Sequence, residues 1–345
     1  MAGDRIHIID TTLRDGSHAV SHSYSPEQVR AIAGALERAH VEYVEVSHGD
    51  GLAGSSFNYG FSSYPEEELL AAAASQLHEA KLAGLRLPGI GTQEDLSMAA
   101  SYGAKVARIA THVTGAESGA QHIGLAKRLN MFTCGLLMMS HLVSPQKVAE
   151  QAGLFESYGA ELVYLMDSAG AMLPDDVTAR VRATREALSI PVGFHAHNNL
   201  GLAIGNTLAA IQAGATYVDG CCRGLGAGAG NAQTEVLVAV LAKSSYETGV
   251  DLHKIMDAAQ NIVGPIMQRP QVIDNTSLML GYAGVYSSFL LHSVRAADRF
   301  GLDPLDIIVE LGRRGMVGGQ EDMIVDVAYQ MAKARELRPD LGARS

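Results

Sequence analysis

Hydrophobic and polar positions along the chain fall into a unit that repeats. A helix-like stretch gives way to a small or turn-forming residue and then a short apolar run, as in AHVEYVEV, YGAKVARI, YGAELVYL and AGATYVDG. Gly103, Gly159 and Gly214 stand where a helix C-terminus favours a left-handed residue, and the β-branched or aromatic run behind each suits a strand buried on both faces. Helix starts are equally marked. In SPEQV, Ser25 can cap, Pro26 occupies the first turn, and Gln28 completes a capping box; Val29, Ile32, Ala33 and Leu36 then line one apolar stripe. SPQKV at Ser144 repeats this start, and LPDDV at Pro174 opens a helix with the stripe Val177, Val181 and Leu188.

Read this way, RIHIID, EYVEVS, GLRLPG, KVARIA, FTCGLLMM, ELVYLM, PVGFHAH and TYVDG are strands, each followed by a helical pattern. Eight βα units completed by Tyr217 predict an α/β fold, a (β/α)8 TIM barrel. A doubly wound sheet would stop at about five or six strands and would carry a glycine fingerprint after the first, where this chain has DTTLRDG. A helix starting near Asn231 is expected to close the barrel at about residue 262. From Gly264 onward, GPIMQRP, SSFLLHSVRAADRF and the IIVEL stretch after Asp303-Pro304 lose the alternating rhythm. The expected organisation is therefore a catalytic barrel over residues 1–262 and a small C-terminal helical domain over 263–345.

Length agrees, since 345 residues exceed the ~250 of a barrel by about one small lobe. Hydrophobic residues at 47% against 18% charged ones are a globular balance that leaves little room for disorder. A net charge of -11 without a basic run prepares no surface for nucleic acid or anionic lipid. The opening MAGDRIHIID has no basic-then-apolar leader pattern, and no apolar stretch nears the ~20 residues of a membrane span, so the expected location is cytoplasmic. Cys134, Cys221 and Cys222 lack both the number for a disulfide framework and the CxxC spacing of zinc or redox sites; they read as structural thiols.

Barrel chemistry gathers at the C-terminal ends of the strands. There the sequence delivers Arg14, Asp15 and His18 after the first strand, His48 and Asp50 after the second, Thr111 and His112 on the fourth, and Asp167 and Ser168 on the sixth. The seventh brings His195 and His197, and GLGAGAGN follows the eighth. Residues two apart on a strand share a face, about 6 to 7 Å apart, so the two imidazoles can hold one ion. Asp15 is the best-placed acid to complete the set. Two imidazoles and one carboxylate suit Mn2+, Fe2+, Co2+ or Zn2+, with Mn2+ the first expectation, whereas Mg2+ prefers oxygen throughout. GLGAGAGN also permits a phosphate-loop reading, which a lone glycine loop supports weakly.

TLRDG after the first strand, HxH on the seventh and GLGAGAGN after the eighth together resemble the DRE-TIM metallolyase superfamily. SHGDGLAGSSFNYGFS, RLPGIGT, ATHVTGA, YLMDSAGAM, GYAGVYSSFL and GGQED narrow this to its class II pyruvate aldolases, the 4-hydroxy-2-oxovalerate aldolase family, over nearly the whole chain. The resemblance implies metal-dependent retro-aldol cleavage of 4-hydroxy-2-oxopentanoate, or longer homologues, to pyruvate and an aldehyde in aromatic or steroid catabolism. It implies Arg14 as the donor to the developing enolate, His18 as the base at the C4 hydroxyl, and Tyr286 reaching from the helical lobe to set stereochemistry. By the same resemblance Ser168 lies near the pyruvate carboxylate, His195 contacts substrate as well as metal, and Leu85 and Leu87 line the aldehyde side. Asn231, a ligand in some acyl-CoA relatives, is expected to serve only behind the ligands or in a loop, and His48, Asp50 and His112 to wall the site. An acylating acetaldehyde dehydrogenase is the implied partner, in a heterotetramer or larger assembly that channels the aldehyde through contacts of the helical lobe. A Claisen-type acyl-CoA synthase or lyase of the same superfamily is the main alternative; an Fe2+ oxygenase and a non-catalytic scaffold are remoter ones.

Overall fold

The computed structural model describes residues 5–336; residues 1–4 and 337–345, included in the two expected domains, lie outside the described residues. Eight parallel strands, β1 (His7–Asp10), β2 (Tyr43–Glu45), β3 (Lys81–Arg86), β4 (Val106–His112), β5 (Phe132–Met138), β6 (Leu162–Asp167), β7 (Val192–Ala196) and β8 (Tyr217–Gly220), pair in sequence order and close β8 onto β1. Around them run α1 (Pro26–Arg38), α2 (Glu66–Ala74), α3 (Gln93–Ser101), α4 (Ala120–Arg128), α5 (Pro145–Ser157), α6 (Pro174–Ala187), α7 (Ala203–Gln212) and α8 (Thr234–Lys243). The expected TIM barrel is present.

Local chemistry explains the helix starts. Ser25 Oγ accepts the Gln28 N–H at 3.3 Å while Gln28 Oε1 accepts the Ser25 N–H at 2.9 Å, which satisfies two otherwise unpaired donors of α1. Val29, Ile32, Ala33 and Leu36 are buried against the sheet, and each large side chain among them contributes about 1.5–3 kcal/mol. Ser144 Oγ caps α5 by accepting the Lys147 N–H at 3.3 Å, without the reciprocal bond. Gly103, Gly159 and Gly214 do take positive φ; at the equivalent joint before β2 the left-handed residue is His40 (φ 60).

Several boundaries differ from the sequence reading. The strand expected at GLRLPG lies three residues earlier, because Pro88 has no N–H for a ladder and Gly89 turns at φ 91. Leu87 therefore lies past the end of β3. β7 ends at Ala196, and His197 bridges to Asn231 in the loop after β8. The helix expected near Asn231 starts at Thr234, since Asn231 is drawn toward Asp15 instead. Leu188 is likewise an extended residue just beyond α6, though still buried.

Strand alternation divides the core in two. Outward residues such as Val44, Ile109, Val163, Phe194 and Val218 pack under the helices, while Ile9, Tyr43, Leu85, Val106, Leu136, Leu162, Tyr164 and Met166 fill the barrel interior. After α9 (Leu252–Asp257) and a π-helical turn at Ala258–Val263, four helices follow: α10 (Asn275–Ala283), α11 (Phe289–Phe300), α12 (Pro304–Arg313) and α13 (Met323–Glu336). They enclose a separate core around Leu280, Phe289, Ile307, Leu311, Ile324 and Val327. This lobe is tied to the barrel mouth by Ser287, whose N–H and Oγ both donate to Ser168 O and whose Oγ accepts from Asn199 Nδ2. No helix among the described residues is long and apolar enough to cross a membrane.

Candidate active site

Strand β1 ends in Asp10, and the chain then tightens into a 3-10 turn over Asp15–Val20. This turn puts Arg14, Asp15 and His18 over the mouth together. Arg14 is 3% exposed; its Nη1 donates to Asp15 Oδ2 at 2.5 Å and its Nε to Glu45 Oε2 at 2.6 Å. Nη2 is buried with no partner in the protein, a cationic donor available to an incoming oxygen.

Across the barrel, His195 Nε2 lies 3.6 Å and His197 Nε2 3.8 Å from the same Asp15 oxygen. One donor atom from each of the three residues falls within 4.8 Å of the others, and all three residues are buried. His195 Nδ1 is bonded to Asp219 Oδ2 at 2.9 Å, which leaves Nε2 buried and unpaired. A buried imidazole nitrogen without a partner, facing a carboxylate and a second imidazole, fits a divalent ion held by a two-histidine, one-carboxylate set. Burial alone would raise the Asp15 carboxyl, but Arg14 and the two imidazoles outweigh it and hold it far below the usual carboxylate range. Burial pushes His197 down to about 4 despite the opposing pull of Asp15, so it is neutral and able to ligate near neutral pH.

The glycine-rich loop packs against this group. Asn231 Nδ2 donates to Asp15 Oδ1 at 3.0 Å and to Leu225 O at 2.8 Å. A Cβ on Gly226 would collide with the Asn231 amide and lie 3.0 Å from Asp15 Oδ1. Close backbone approach to Asp15 and Asn231 thus accounts for glycine here without a phosphate.

His18 stands on the other side of Arg14, only partly buried, with Nε2 4.0 Å from Asp50 Oδ2. It makes an edge contact with His22, which stacks on His48 at 3.8 Å. His22 Nδ1 is fixed by Ser17 Oγ, and His48 by Gly60 O and the Asp50 N–H. Burial first, and then the neighbouring imidazole, lowers His18 to about 3. Asp50 moves the other way, up to about 8, through burial and then the nearby Glu321 and Asp15 carboxylates.

A cavity of about 310 Å³ opens beside these groups and is lined by Asp50, Leu87, His112, Tyr286, Gly319 and Glu321 among others. The lobe therefore contributes Tyr286 and Glu321 to the wall. Tyr286 packs edge-on against Phe289, and burial raises its phenol well above the ordinary value. Leu87 faces this cavity, whereas Leu85 packs inside the barrel. Ser168 Oγ accepts the Met139 N–H at 3.1 Å, so its hydroxyl props the turn after β5. Asp167 accepts the N–H groups of Ala171 and Met172, and His112 pairs with Thr114. Cys134, Cys221 and Cys222 are buried free thiols.

Sequence reasoning missed Glu45, Arg108 and Asp219, all at most 1% exposed and joined in ion pairs behind Arg14 and His195. The signal was present: each is a charge at an inward position of an otherwise apolar strand. Glu321, 4% exposed, was missed for another reason, since its approach to the mouth depends on how the lobe folds back.

Residues 5–262 match the HMGL-like family and residues 271–333 the DmpG-like communication domain. A Moorella thermoacetica protein named 4-hydroxy-2-oxovalerate aldolase is 67% identical to the chain, with 97% of this chain and 99% of that protein aligned. A protein of the same name from Carboxydothermus hydrogenoformans is 64% identical over 96% and 99%. Among solved structures, the carboxyl transferase domain of Rhizobium etli pyruvate carboxylase superposes with a TM-score of 0.81 over 96% of this chain and 61% of that one at 18% identity, a likeness of fold.

Proposed function

The chain belongs to the HMGL-like family, and on that footing we propose that it is a metal-dependent carbon–carbon lyase. It cleaves 4-hydroxy-2-oxopentanoate, or longer 4-hydroxy-2-oxo acids, to pyruvate and an aldehyde in the breakdown of aromatic compounds. The observation that carries this reading is the convergence of Asp15, His195 and His197 beside a guanidinium whose Nη2 has no partner in the protein, in a chain whose relatives at 64–67% identity bear the aldolase name.

Asp15, His195 and His197 would hold the divalent ion, Mn2+ by preference. Once bound, it supplies Lewis-acid polarisation of the 2-keto group. The other roles fall to the chain itself. His18, neutral at working pH, takes the proton from the C4 hydroxyl; the C3–C4 bond breaks, C4 leaves as the aldehyde carbonyl, and the electron pair collects on the pyruvate enolate. Arg14 stabilises the enolate oxygen with a charge that does not titrate. The proton taken up by His18 returns, directly or by way of solvent, to C3, which yields pyruvate and leaves His18 neutral again. Tyr286 and Leu87, on the cavity wall, select the configuration at C4 and the length of the aldehyde. Ser168 and His195 complete the pyruvate end, and Leu85 backs Leu87 on the aldehyde side.

A barrel over residues 1–262 thus carries catalysis, and the helical domain from 263 lends Tyr286 and the contact with a partner. The DmpG-like communication domain supports an acylating acetaldehyde dehydrogenase as that partner, receiving the aldehyde directly. Supplying the protein with Mn2+ and 4-hydroxy-2-oxopentanoate should release pyruvate, and mixing it with pyruvate and acetyl-CoA should give no condensation. Condensation without retro-aldol cleavage would replace the aldolase with a Claisen-type synthase. Co-expression with the dehydrogenase should yield one species by size exclusion.

A further inference from the structure

Below the three converging side chains, the barrel interior holds charge that the reaction as described does not use. Arg108, on β4, is 1% exposed. Its Nη2 donates to Asp219 Oδ2 at 2.5 Å, its Nη1 lies 3.1 Å from Glu45 Oε1, and its Cζ stands 4.6 Å over the Tyr164 ring. Asp219 Oδ2 also meets His195 Nδ1, and the other Glu45 oxygen accepts from Arg14 Nε. A continuous path thus runs from Arg14 through Glu45, Arg108 and Asp219 to His195, joining the enolate donor to a ligand.

The chemistry of the path gives it direction. An ionised carboxylate only accepts, so Asp219 requires the proton of His195 on Nδ1 and leaves the Nε2 lone pair facing Asp15. Arg108 Nη2 sets a guanidinium against Asp219 Oδ2, the same oxygen that meets His195 Nδ1. Buried ion pairs seldom add stability over a well-packed apolar core. Counting Asp15, three carboxylates meet two guanidinium groups here, which leaves one negative charge; a divalent ion would turn it into one positive charge, matched to a monoanionic 2-oxo acid.

We propose that Arg108 is a positioning residue: by holding Asp219 against His195 and Glu45 against Arg14, it sets the tautomer of a ligand and the aim of the oxyanion donor together. The inference rests on Asp15, His195 and His197 being the ligands.

Asp219→Asn tests it with little change of volume. If the Asn oxygen stays on Arg108, the amide N–H faces His195 Nδ1 and moves the ring proton to Nε2. The expected results are a Mn2+ dissociation constant raised about 10- to 100-fold in chelator competition and a switch of His195 from the Nδ1–H to the Nε2–H form in the 15N spectrum of the metal-free protein. Arg108→Met should weaken Mn2+ binding similarly and lower kcat further than Asp219→Asn does, because Arg14 loses its support too. Should Arg108→Met fail to fold, the 15N spectra of wild type and Asp219→Asn still decide. Unchanged Mn2+ affinity in Asp219→Asn, or an Nε2–H His195 in wild type, would overturn the proposal. His195→Ala and Asp15→Ala separate the two layers: if both lose Mn2+ while Asp219→Asn keeps it, the positioning role alone fails; if both keep it, the ligand set itself is wrong.

Discussion

Arg14 illustrates how much of the site depends on one side chain. Its Nε and Nη1 are committed to Glu45 and Asp15, and only Nη2 remains for substrate. Lysine is a point charge on a flexible stem and cannot reproduce this fork. Arg14→Lys should therefore lower kcat by about 10²–10³-fold, the usual cost of a lost oxyanion donor, with the fold intact by circular dichroism; a kcat within a few-fold of wild type would show that the enolate is stabilised elsewhere. His18 is placed as tightly from behind. A Cβ on Gly49 would lie 2.5 Å from His18 Nε2, so Gly49→Ala should displace the base and reduce turnover by about 10²-fold while Mn2+ affinity stays at the wild-type value. Pyruvate release and metal titration on the same sample check both halves.

At the scale of elements, strand periodicity and helix caps were legible because each rests on a local rule. Ser25, Pro26 and Gln28 cap α1 as a box, and the inward phase of His195 follows from the two-residue repeat of β7. Ends set by contacts distant in sequence were not legible. α8 waits until Thr234 because Asn231 is held by Asp15, 216 residues away. Asp15, His195 and His197 converge beside Arg14 from their strand ends, while Ser168 also accepts the Met139 N–H and Leu85 packs within the barrel interior. The charges of Glu45, Arg108 and Asp219 stood in plain view in their strands, yet only closure of the barrel makes them neighbours. The loop after β8 supplies the prediction at this scale. Gly226→Ala should push Asn231 and Asp15 apart and weaken Mn2+ binding about 10-fold or more, read by chelator competition; a small loss of Tm with unchanged affinity would mean that the loop yields without moving the ligands.

Across the whole molecule, the seam between barrel and lobe is built from few polar contacts, and Ser287 makes three of them. Ser287→Ala leaves a buried Asn199 N–H unpaired and should cost about 1–3 kcal/mol, with KM raised because Tyr286 is its neighbour; denaturant unfolding and steady-state kinetics measure the two effects. The histidine cluster sets a second whole-molecule property. His18, His22 and His48 are each lowered to about 3, by burial and then by one another. Between about pH 3 and the ordinary 6.5 the unfolded chain binds more protons, so their contribution is complete above pH 6.5 and lost as the solution is acidified. Asp50, raised to about 8, opposes this trend because its folded form binds the extra proton. His22→Gln removes one group, so stability should fall less steeply below pH 6.5, by up to about 1.4 kcal/mol per pH unit. Identical slopes for the two proteins in denaturant titrations would contradict the assignment.

Removal of the metal is the most direct measurement of the whole account. Protein stripped by a chelator, checked for metal by elemental analysis and for folding by circular dichroism, is given 4-hydroxy-2-oxopentanoate, and pyruvate is followed before and after adding Mn2+. The predicted result is no pyruvate from the folded, metal-free protein and full recovery near one equivalent of Mn2+, with no recovery in His195→Ala. Undiminished cleavage by the metal-free protein would contradict it.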